Sequence, residues 1–259
     1  MLLKNKNAII YGAGGSIGGA VARAFAREGA TVFLAARTLA TLDKIAKEIS
    51  ATGGIVETAQ VDAFDEQAVE KHAAAVVAKA GCIDVSFNAV DIEGSTQGTP
   101  LIELSPDAIS LPVKNRVATN FLTARSAARH MIQRRTGVIL MITATPARMA
   151  FPMTGSFGVE GAAIEGLCRS LASELSPQGV RVICLRSAGS PESFPETTES
   201  GAPLGKERVE TAKMIADGTL LKRAPTLAEV GNVAALMASD YASPMTATVA
   251  NMTCGAIVD

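Results

Sequence analysis

The stretch NAIIYGAGGSIGGAVARAFAREG, residues 7–29, joins a short apolar run, a glycine-rich loop and an amphipathic segment. The run Asn7–Tyr11 predicts a strand, and Ser16–Glu28 predicts a helix that stops at Gly29, a common C-terminal residue. Such a loop lets backbone approach a pyrophosphate, whose charge is met by free N–H groups and the positive end of the helix dipole. The glycines alone leave open a tight strand-to-helix turn without a ligand.

The rest of the chain repeats this alternation of short β-branched runs and longer amphipathic stretches, which is typical of βαβ units and a parallel sheet. Further strands are predicted at Thr31–Ala36, Ile55–Val61, Ile83–Phe87, Val138–Ile142, Val180–Leu185 and Thr248–Met252. Further helices are predicted at Leu39–Ala51, Glu66–Ala80, Val113–Arg135, Ser156–Ser176 and Leu227–Ser239. Because crossovers are right-handed, these strands should wind into a doubly wound α/β sheet of Rossmann type, mostly parallel and seven-stranded, with helices on both faces. Ligands then belong at the carboxyl ends of the strands.

The balance of charges argues against two classes of partner. Lysine and arginine number 24 against 25 aspartates and glutamates, a formal net charge of -1. No basic field attracts nucleic-acid phosphates or anionic lipid, so we expect neither nucleic acid nor membrane as a partner. The 259 residues, 48% of them apolar, can bury one large core, so a single domain over residues 1–259 is expected.

Apolar runs and cysteines bear on location and metal binding. The N-terminal apolar run is too short for a signal peptide, and no later segment approaches the roughly eighteen uninterrupted apolar residues of a membrane span. The four cysteines lack metal or redox spacing and lie in apolar contexts, at Cys82, Cys168, Cys184 and Cys254. The sequence therefore predicts a cytoplasmic protein without a metal site.

Two charged residues follow the second and third predicted strands. Arg37 lies in the segment Ala35–Thr38, which contains no carboxylate, and Asp62 follows the third strand. In a dinucleotide site, an acidic residue at the end of the second strand favours the ribose 2′-hydroxyl of NAD, whereas an arginine accommodates the 2′-phosphate of NADP. The sequence thus favours NADP(H) over NAD(H), with a solvated cation at a helix start as the alternative role for Arg37. The stretch Ser187–Leu204, rich in Ser, Pro, Gly and Glu, predicts a surface loop over the site, either a lid or an ordinary connection.

Together these motifs resemble those of the short-chain dehydrogenase/reductase family. The loop YGAGGSIG is similar to the family's Thr-Gly-x-x-x-Gly-x-Gly, with Gly12 and Gly18 matching and Ser16 in place of the middle glycine. FNAV, residues 87–90, stands where the family has Asn-Asn-Ala-Gly, and KRAPTLAEVGNVAALMASDYAS, residues 222–243, resembles its closing segment. The resemblance spans essentially the whole chain. The resemblance implies a nicotinamide cofactor whose adenine lies beside Asp62. The residues implied to bind this cofactor are Gly12, Ser16, Ile17, Gly18, Arg37, Asp62, Ala63, Asn88 and Ala89.

The residues that carry the family's chemistry do not recur at the matching positions. The tyrosine and lysine of its Tyr-x-x-x-Lys helix fall on Phe157 and Gly161. Its serine falls on Ala144 or, with a one-residue slip, on Thr143 or Thr145. Phenylalanine keeps the ring but cannot donate a proton, and glycine removes the ammonium that would tune such a donor.

No other side chain stands out as a replacement proton donor. The family's helix asparagine corresponds to Asn115 or Asn120, and the spacing does not choose between them. Thr143 and Asn115 are therefore the candidate catalytic residues. Several charged residues near the predicted site are expected on the surface, namely Lys114, Arg116 and Glu160. The remaining titratable rings are expected away from the reacting position, at Tyr11, His72, His130 and Tyr241.

Three functions stay open at this point. The first is an NADP(H)-dependent oxidoreductase of altered mechanism, acting on a small carbonyl, alcohol or enoyl substrate. The second is a cofactor-binding sensor without turnover, and the third is a structural subunit of a mixed oligomer. The dinucleotide loop and Arg37 favour the enzyme. Small residues in Ser156–Ser176 allow close helix approach, and the resemblance implies a homo-oligomer, a dimer or tetramer, through this helix.

Overall fold

The structure, a computed structural model, describes residues 1–92, 96–194 and 205–258, with the backbone alone for residues 205–208. In these residues seven strands form one sheet in the order β3-β2-β1-β4-β5-β6-β7, and every neighbouring pair is parallel. The strands are β1 Asn7–Tyr11, β2 Thr31–Ala36, β3 Ile55–Gln60, β4 Val85–Asn88, β5 Gly137–Ala144, β6 Val180–Ser187 and β7 Thr248–Met252. The predicted doubly wound fold is confirmed.

Seven α-helices are present in the described part of the chain. They are α1 Ser16–Arg27, α2 Leu39–Ala51, α3 Glu66–Ala80, α4 Pro106–Arg134, α5 Phe157–Leu175, α6 Gly205–Asp217 and α7 Leu227–Ala238. Two of them show why the sequence places their starts well. The Asp65 carboxylate accepts hydrogen bonds from the N–H groups of Gln67 and Ala68, and Thr226 with Glu229 forms a capping box at α7. None of these helices is long and apolar enough to cross a bilayer.

Three details of the predicted elements need correction: the start of α4, the absence of α6 and the extent of one loop. The sequence predicts that α4 starts at Val113, but the helix starts at Pro106, because Ser105 caps it and proline is tolerated in the first turn. Pro112 therefore lies inside the helix. Helix α6 has no counterpart among the predicted helices. Of the predicted loop Ser187–Leu204, Ser187 closes β6 and residues 191–193 form a short 3-10 turn, while residues 195–204 lie outside the described residues.

The sheet is buried on both faces. On one face, side chains such as Ile10, Leu34 and Leu140 pack towards α1, α2 and α7. On the other face, side chains such as Ile9 and Met141 pack towards α3, α4 and α5. Strands that are covered on both faces have continuous apolar sequences, and for this reason the sequence of β1 predicts a strand.

The order of the strands fixes where a ligand can enter. Chain connections run outward in one direction from β1 to β3 and in the other from β4 to β7, so the topology reverses between β1 and β4. At this switch point the loops after the two strands separate and leave a crevice at the carboxyl edge of the sheet. The loops that follow β1 and β4 therefore border the expected ligand site.

Candidate functional site

A cleft of about 190 Å³ opens at the carboxyl ends of β1, β2, β3 and β4. Its wall combines the glycine loop after β1 with the residues that follow the other three strands. It is lined by Tyr11, Gly12, Gly14, Gly15, Ala35, Ala36, Arg37, Thr38, Thr41, Val61, Asp62, Ala63, Phe64, Ala89, Val90 and Asp91. The cleft thus lies at the switch point of the sheet.

The glycine loop is packed so closely that side chains are excluded at two positions. Gly12 has φ +73°, and a Cβ there would lie 2.4 Å from the carbonyl oxygen of Ala89. A Cβ on Gly18 would lie 2.3 Å from the carbonyl oxygen of Gly12. Glycine is therefore required for the chain to turn from β1 into α1 beside the end of β4.

The turn leaves the start of α1 facing the cleft without a side-chain cap. The N–H of Gly12 donates to the carbonyl of Ala35 at 2.9 Å, which ties the loop to β2. The N-cap of α1 is Gly15, which has no side chain that could occupy the N–H groups of the first helical turn. These groups have no acceptor inside the helix, so they are available to an anion such as a pyrophosphate.

The residues predicted to bind a cofactor divide into two groups. Those in the cleft wall are Gly12, Arg37, Asp62, Ala63 and Ala89. Those outside the wall are Ser16, Ile17, Gly18 and Asn88, of which Gly18 supports the loop from behind. Sequence reasoning missed further wall residues, and for Gly14 and Gly15 the glycine cluster itself was the available signal. The binding role of each of these residues stays a prediction.

Asn88 connects the end of β4 to α4. Its side-chain amide donates to the carbonyl of Thr119 at 3.1 Å and to the hydroxyl of Thr123 at 2.9 Å. Its side-chain oxygen accepts a hydrogen bond from the N–H of Val90 at 3.0 Å. The buried amide therefore fixes the turn that carries Ala89 and Val90 into the cleft wall.

Arg37 and Asp62 both lie exposed in the cleft wall. The carbonyl of Arg37 accepts a hydrogen bond from Gln60 at 2.9 Å, which fixes the backbone at the end of β2. One oxygen of Asp62 accepts the N–H of Phe64 at 3.0 Å, so the aspartate shapes its own turn. The end of β2 thus carries a guanidinium and no carboxylate.

Thr143 faces the protein interior rather than the cleft. Its hydroxyl donates to Glu165 at 3.1 Å, and Glu165 forms a two-bond ion pair with Arg186 at 2.8 and 2.7 Å. Arg186 is only 2% exposed, so this pair is buried between β5, β6 and α5. The hydroxyl of Thr143 is therefore engaged by a buried carboxylate, and the cleft wall does not include it.

Two of the positions expected to match the family's serine and lysine, Ala144 and Gly161, lie at one short turn. Ala144 ends β5 and leads into a 3-10 turn, Thr145–Ala147. A Cβ on Gly161 would lie 2.8 Å from the Cβ of Ala147, so α5 rests directly on that turn. Phe157 is half-buried at the start of α5. A long side chain at position 161 therefore requires the turn or the helix to move.

Glu160 and Arg116 are not surface residues, and that expectation was wrong. Glu160 is 5% exposed, and its oxygens accept hydrogen bonds from Ser156 Oγ at 2.7 Å and Arg116 Nε at 3.2 Å. The Arg116 side chain is 16% exposed, and its Nη1 donates to the carbonyl of Val90 at 2.9 Å. The two charges stabilise each other between α4 and α5, and the partners are too far apart in sequence for local patterns to reveal them.

The two candidate asparagines on α4 also lie outside the cleft wall. Asn120 is buried and donates its amide to the carbonyl of Arg116 at 2.9 Å, while its side-chain oxygen accepts no hydrogen bond from the residues that the structure describes. Asn115 is half-buried. None of Asn115, Asn120 and Thr143 lines the cleft, and a catalytic role for each stays a prediction.

Tyr11 and His72 form a contact behind the cleft. The rings meet edge to face with centroids 5.8 Å apart, and Tyr11 forms part of the cleft wall. Burial raises the pKa of Tyr11 and lowers the pKa of His72 to about 4. Both groups are therefore neutral at physiological pH, which suits packing rather than proton transfer. Tyr241 lies exposed after α7.

Comparison with known proteins adds information that is independent of this geometry. A protein family described as enoyl-(acyl carrier protein) reductase matches residues 12–256. An uncharacterized oxidoreductase of Caenorhabditis elegans is 31% identical over 262 residues, which cover 99% of this chain and 78% of the relative. A probable 2,4-dienoyl-CoA reductase of the same organism is 30% identical over 264 residues, with coverage of 96% and 80%.

Solved structures share the fold at lower identity. The structure of an NAD+-bound xylitol dehydrogenase superimposes with a TM-score of 0.85 at 22% identity, covering 98% of this chain and 100% of that one. A short-chain type dehydrogenase/reductase from Mycobacterium marinum gives a TM-score of 0.85 at 23% identity, with coverage of 99% and 97%. At these identities the superpositions bear on the fold alone.

Proposed function

The chain belongs to the short-chain dehydrogenase/reductase family of oxidoreductases, and on that premise we propose that it is an NADP(H)-dependent enzyme with altered catalytic residues. The observation that carries the cofactor preference is Arg37 in the wall of the cleft, at the end of a strand that offers no carboxylate. A guanidinium can bind a 2′-phosphate with two hydrogen bonds, whereas NAD discrimination needs an acidic residue in this place.

The shape of the cleft fits a dinucleotide. Gly12, Gly14 and Gly15 line the cleft without side chains, and the uncapped start of α1 supplies N–H groups for a pyrophosphate. Ala63, Phe64 and Val61 give the wall beyond the pyrophosphate an apolar surface suited to an adenine ring. When bound, the nicotinamide supplies hydride chemistry, while this chain supplies position and electrostatic field.

The reaction that suits these residues is reduction of a carbon–carbon double bond. Phe157 cannot donate a proton to an alkoxide, and Gly161 provides no ammonium, so ketone reduction lacks its usual acid. An enoyl substrate would receive its proton at carbon, so it would not require an acid placed against a developing alkoxide. The description of the matching family and the name of one relative favour the same class among the carbonyl, alcohol and enoyl substrates.

A cofactor-binding protein without turnover is the second candidate. The observation in its favour is the close packing of Ala147 against Gly161, which fills the space that a side chain at position 161 would need. Cofactor binding is common to both candidates, and only turnover separates them. A purely structural subunit needs neither.

Titration of the purified protein with NADPH and with NADH tests the proposal, followed by a screen for cofactor oxidation with enoyl and carbonyl substrates. We expect tighter binding of NADPH and oxidation with an enoyl thioester. Arg37→Ala should weaken NADPH binding by about 1.5–3 kcal/mol, the scale of hydrogen bonds to a charged group, and leave NADH nearly unchanged. Lys47→Ala, which removes an exposed cation farther along α2, is the matched control. Tighter binding of NADH, or equal losses for both cofactors, would refute the preference.

A further inference from the structure

The buried ion pair between α4 and α5 reaches into the loop that borders the cofactor cleft. Arg116 donates to Glu160 through Nε and to the carbonyl of Val90 through Nη1, so one guanidinium joins the pair to the cleft wall. The other oxygen of Glu160 accepts the hydroxyl of Ser156 at 2.7 Å. Ser156 in turn bonds Thr96, through its N–H at 2.8 Å and its hydroxyl at 3.0 Å.

These hydrogen bonds fix the chain that follows β4 at two residues, Val90 and Thr96. Val90 lies near its beginning and forms part of the cleft wall, and Thr96 lies farther along. A second constraint acts beside Thr96, where a Cβ on Gly155 would lie 2.1 Å from the threonine hydroxyl. Segments on both sides of residues 93–95 are therefore fixed to the start of α5 by Arg116, Glu160 and Ser156.

A role in stability alone does not account for this arrangement. Replacing a buried ion pair by apolar groups of similar volume is often neutral or stabilising, so such a pair is weak support for the fold by itself. This pair also fixes the position of the cleft wall, because the guanidinium donates one hydrogen bond to the Glu160 carboxylate and another to the carbonyl of Val90. A planar guanidinium suits two fixed acceptors better than a flexible ammonium does.

We propose that Arg116 and Glu160 are positioning residues, which hold residues 89–92 after β4 in the geometry that admits the cofactor. The proposal rests on the proposed function in that it assigns the cleft to a nicotinamide dinucleotide. Arg116 acts through Val90, and Glu160 acts by orienting Arg116 and Ser156. Neither side chain needs to touch the cofactor or the substrate.

The test compares a double variant, Arg116→Met with Glu160→Gln, with the wild type and a control. The double variant removes both charges together, so no buried charge is left unpaired, and the glutamine can still accept from Ser156. Arg129→Met is the control, because Arg129 lies on the same helix and forms an exposed ion pair with Glu70 of α3. Arg116→Lys is the variant for use if the double variant folds poorly, because it keeps a charge beside Glu160 but lacks the planar guanidinium that reaches two fixed acceptors.

Three measurements separate positioning from stability: the Tm, amide hydrogen exchange over Asn88–Ile92 without cofactor, and the Kd for NADPH. We expect the double variant to keep a Tm close to that of the control. We also expect at least about tenfold faster exchange at Asn88–Ile92 and a Kd raised at least about tenfold, as for one lost hydrogen bond to a charged group. Exchange and Kd values equal to those of Arg129→Met would overturn the proposal.

The exchange measurement keeps this inference distinct from the proposed function. If the wild type binds neither NADPH nor NADH, the proposed function fails. Exchange at Asn88–Ile92 then still decides whether Arg116 and Glu160 hold the loop, because it is measured without cofactor. If the wild type binds NADPH and the double variant binds equally well, the proposed function stands and the positioning role is refuted.

Discussion

Placing the family's serine, tyrosine and lysine at the positions expected for them tests whether this chain can be made to reduce a ketone. The substitutions are Phe157→Tyr, Gly161→Lys and Ala144→Ser. A positioned general acid commonly contributes about 10²–10⁴ in rate, so the wild type should reduce ketones slowly or not at all. The triple variant should be at least roughly tenfold faster if a carbonyl can approach the nicotinamide. Tyrosine or lysine alone should not suffice, because the tyrosine needs the lysine's charge and the lysine donates nothing to the reaction.

The structure shows what limits this experiment. A Cβ on Gly161 would lie 2.8 Å from the Cβ and 3.3 Å from the Cα of Ala147. Overpacking of this kind costs about 1–3 kcal/mol, which in a domain of this size lowers the Tm by roughly 2–10 °C. Ala147→Gly removes the shorter contact and leaves the one at 3.3 Å. Adding it to the triple variant should therefore recover part of the lost Tm.

The assay follows NADPH oxidation with a panel of ketones and aldehydes, together with the Tm and the Kd for NADPH of each variant. A folded variant with all four changes that binds NADPH and gains nothing on any carbonyl would refute the idea of a latent reductase pocket. Brisk ketone reduction by the wild type would instead show that the assignment of Phe157 and Gly161 to the family's tyrosine and lysine is wrong. An unchanged Tm for Gly161→Lys alone would contradict the packing argument.

Three further predictions concern the glycine loop, the buried ring of His72 and the assembly of the chain. Gly18→Ala should weaken NADPH binding by at least about tenfold, because the added Cβ would lie 2.3 Å from the carbonyl oxygen of Gly12 and displace the loop. Calorimetric titration measures the Kd, and a Kd equal to that of the wild type would refute the prediction. Burial lowers the pKa of His72 from 6.5 to about 4, so the unfolded state binds more protons between these values and stability should fall by up to roughly 3 kcal/mol as pH drops through that window. Urea unfolding should show that slope in the wild type and lose it in His72→Phe. Light scattering should give a dimer or tetramer at micromolar concentration, and a monomer would reject assembly through α5.

The sequence predicts those elements of the fold that depend on neighbouring residues alone, such as apolar strands and capped helix starts. The run Asn7–Tyr11 is apolar throughout because helices cover both faces of the sheet, and Asp65 marks the start of α3 because its carboxylate caps the helix. The start of α4 was predicted too late, since Pro112 reads as a helix break although the helix accommodates it. Helix α6 carries a polar sequence, GKERVETAKMIAD, with little apolar periodicity to indicate it.

The candidate site was predictable only where one segment carries the signal. Gly12 and Arg37 lie in the cleft wall because each directly follows a strand, and strand ends can be located from the sequence. Glu160 and Arg116 were expected in water, because burial of a charge depends on a partner from another helix that no local pattern shows. The resemblance makes Thr143 a catalytic candidate through a one-residue slip from Ala144, yet its hydroxyl donates to Glu165 of α5.

The central position of β1 has a consequence for synthesis of the chain on the ribosome. Ala8 pairs with Val85, so one hydrogen-bonding edge of an apolar strand stays open while all of β2 and β3 are translated. An open apolar edge is a template for pairing with another chain. Chains truncated ahead of Val85 therefore keep that edge of β1 unpaired and should depend on chaperones.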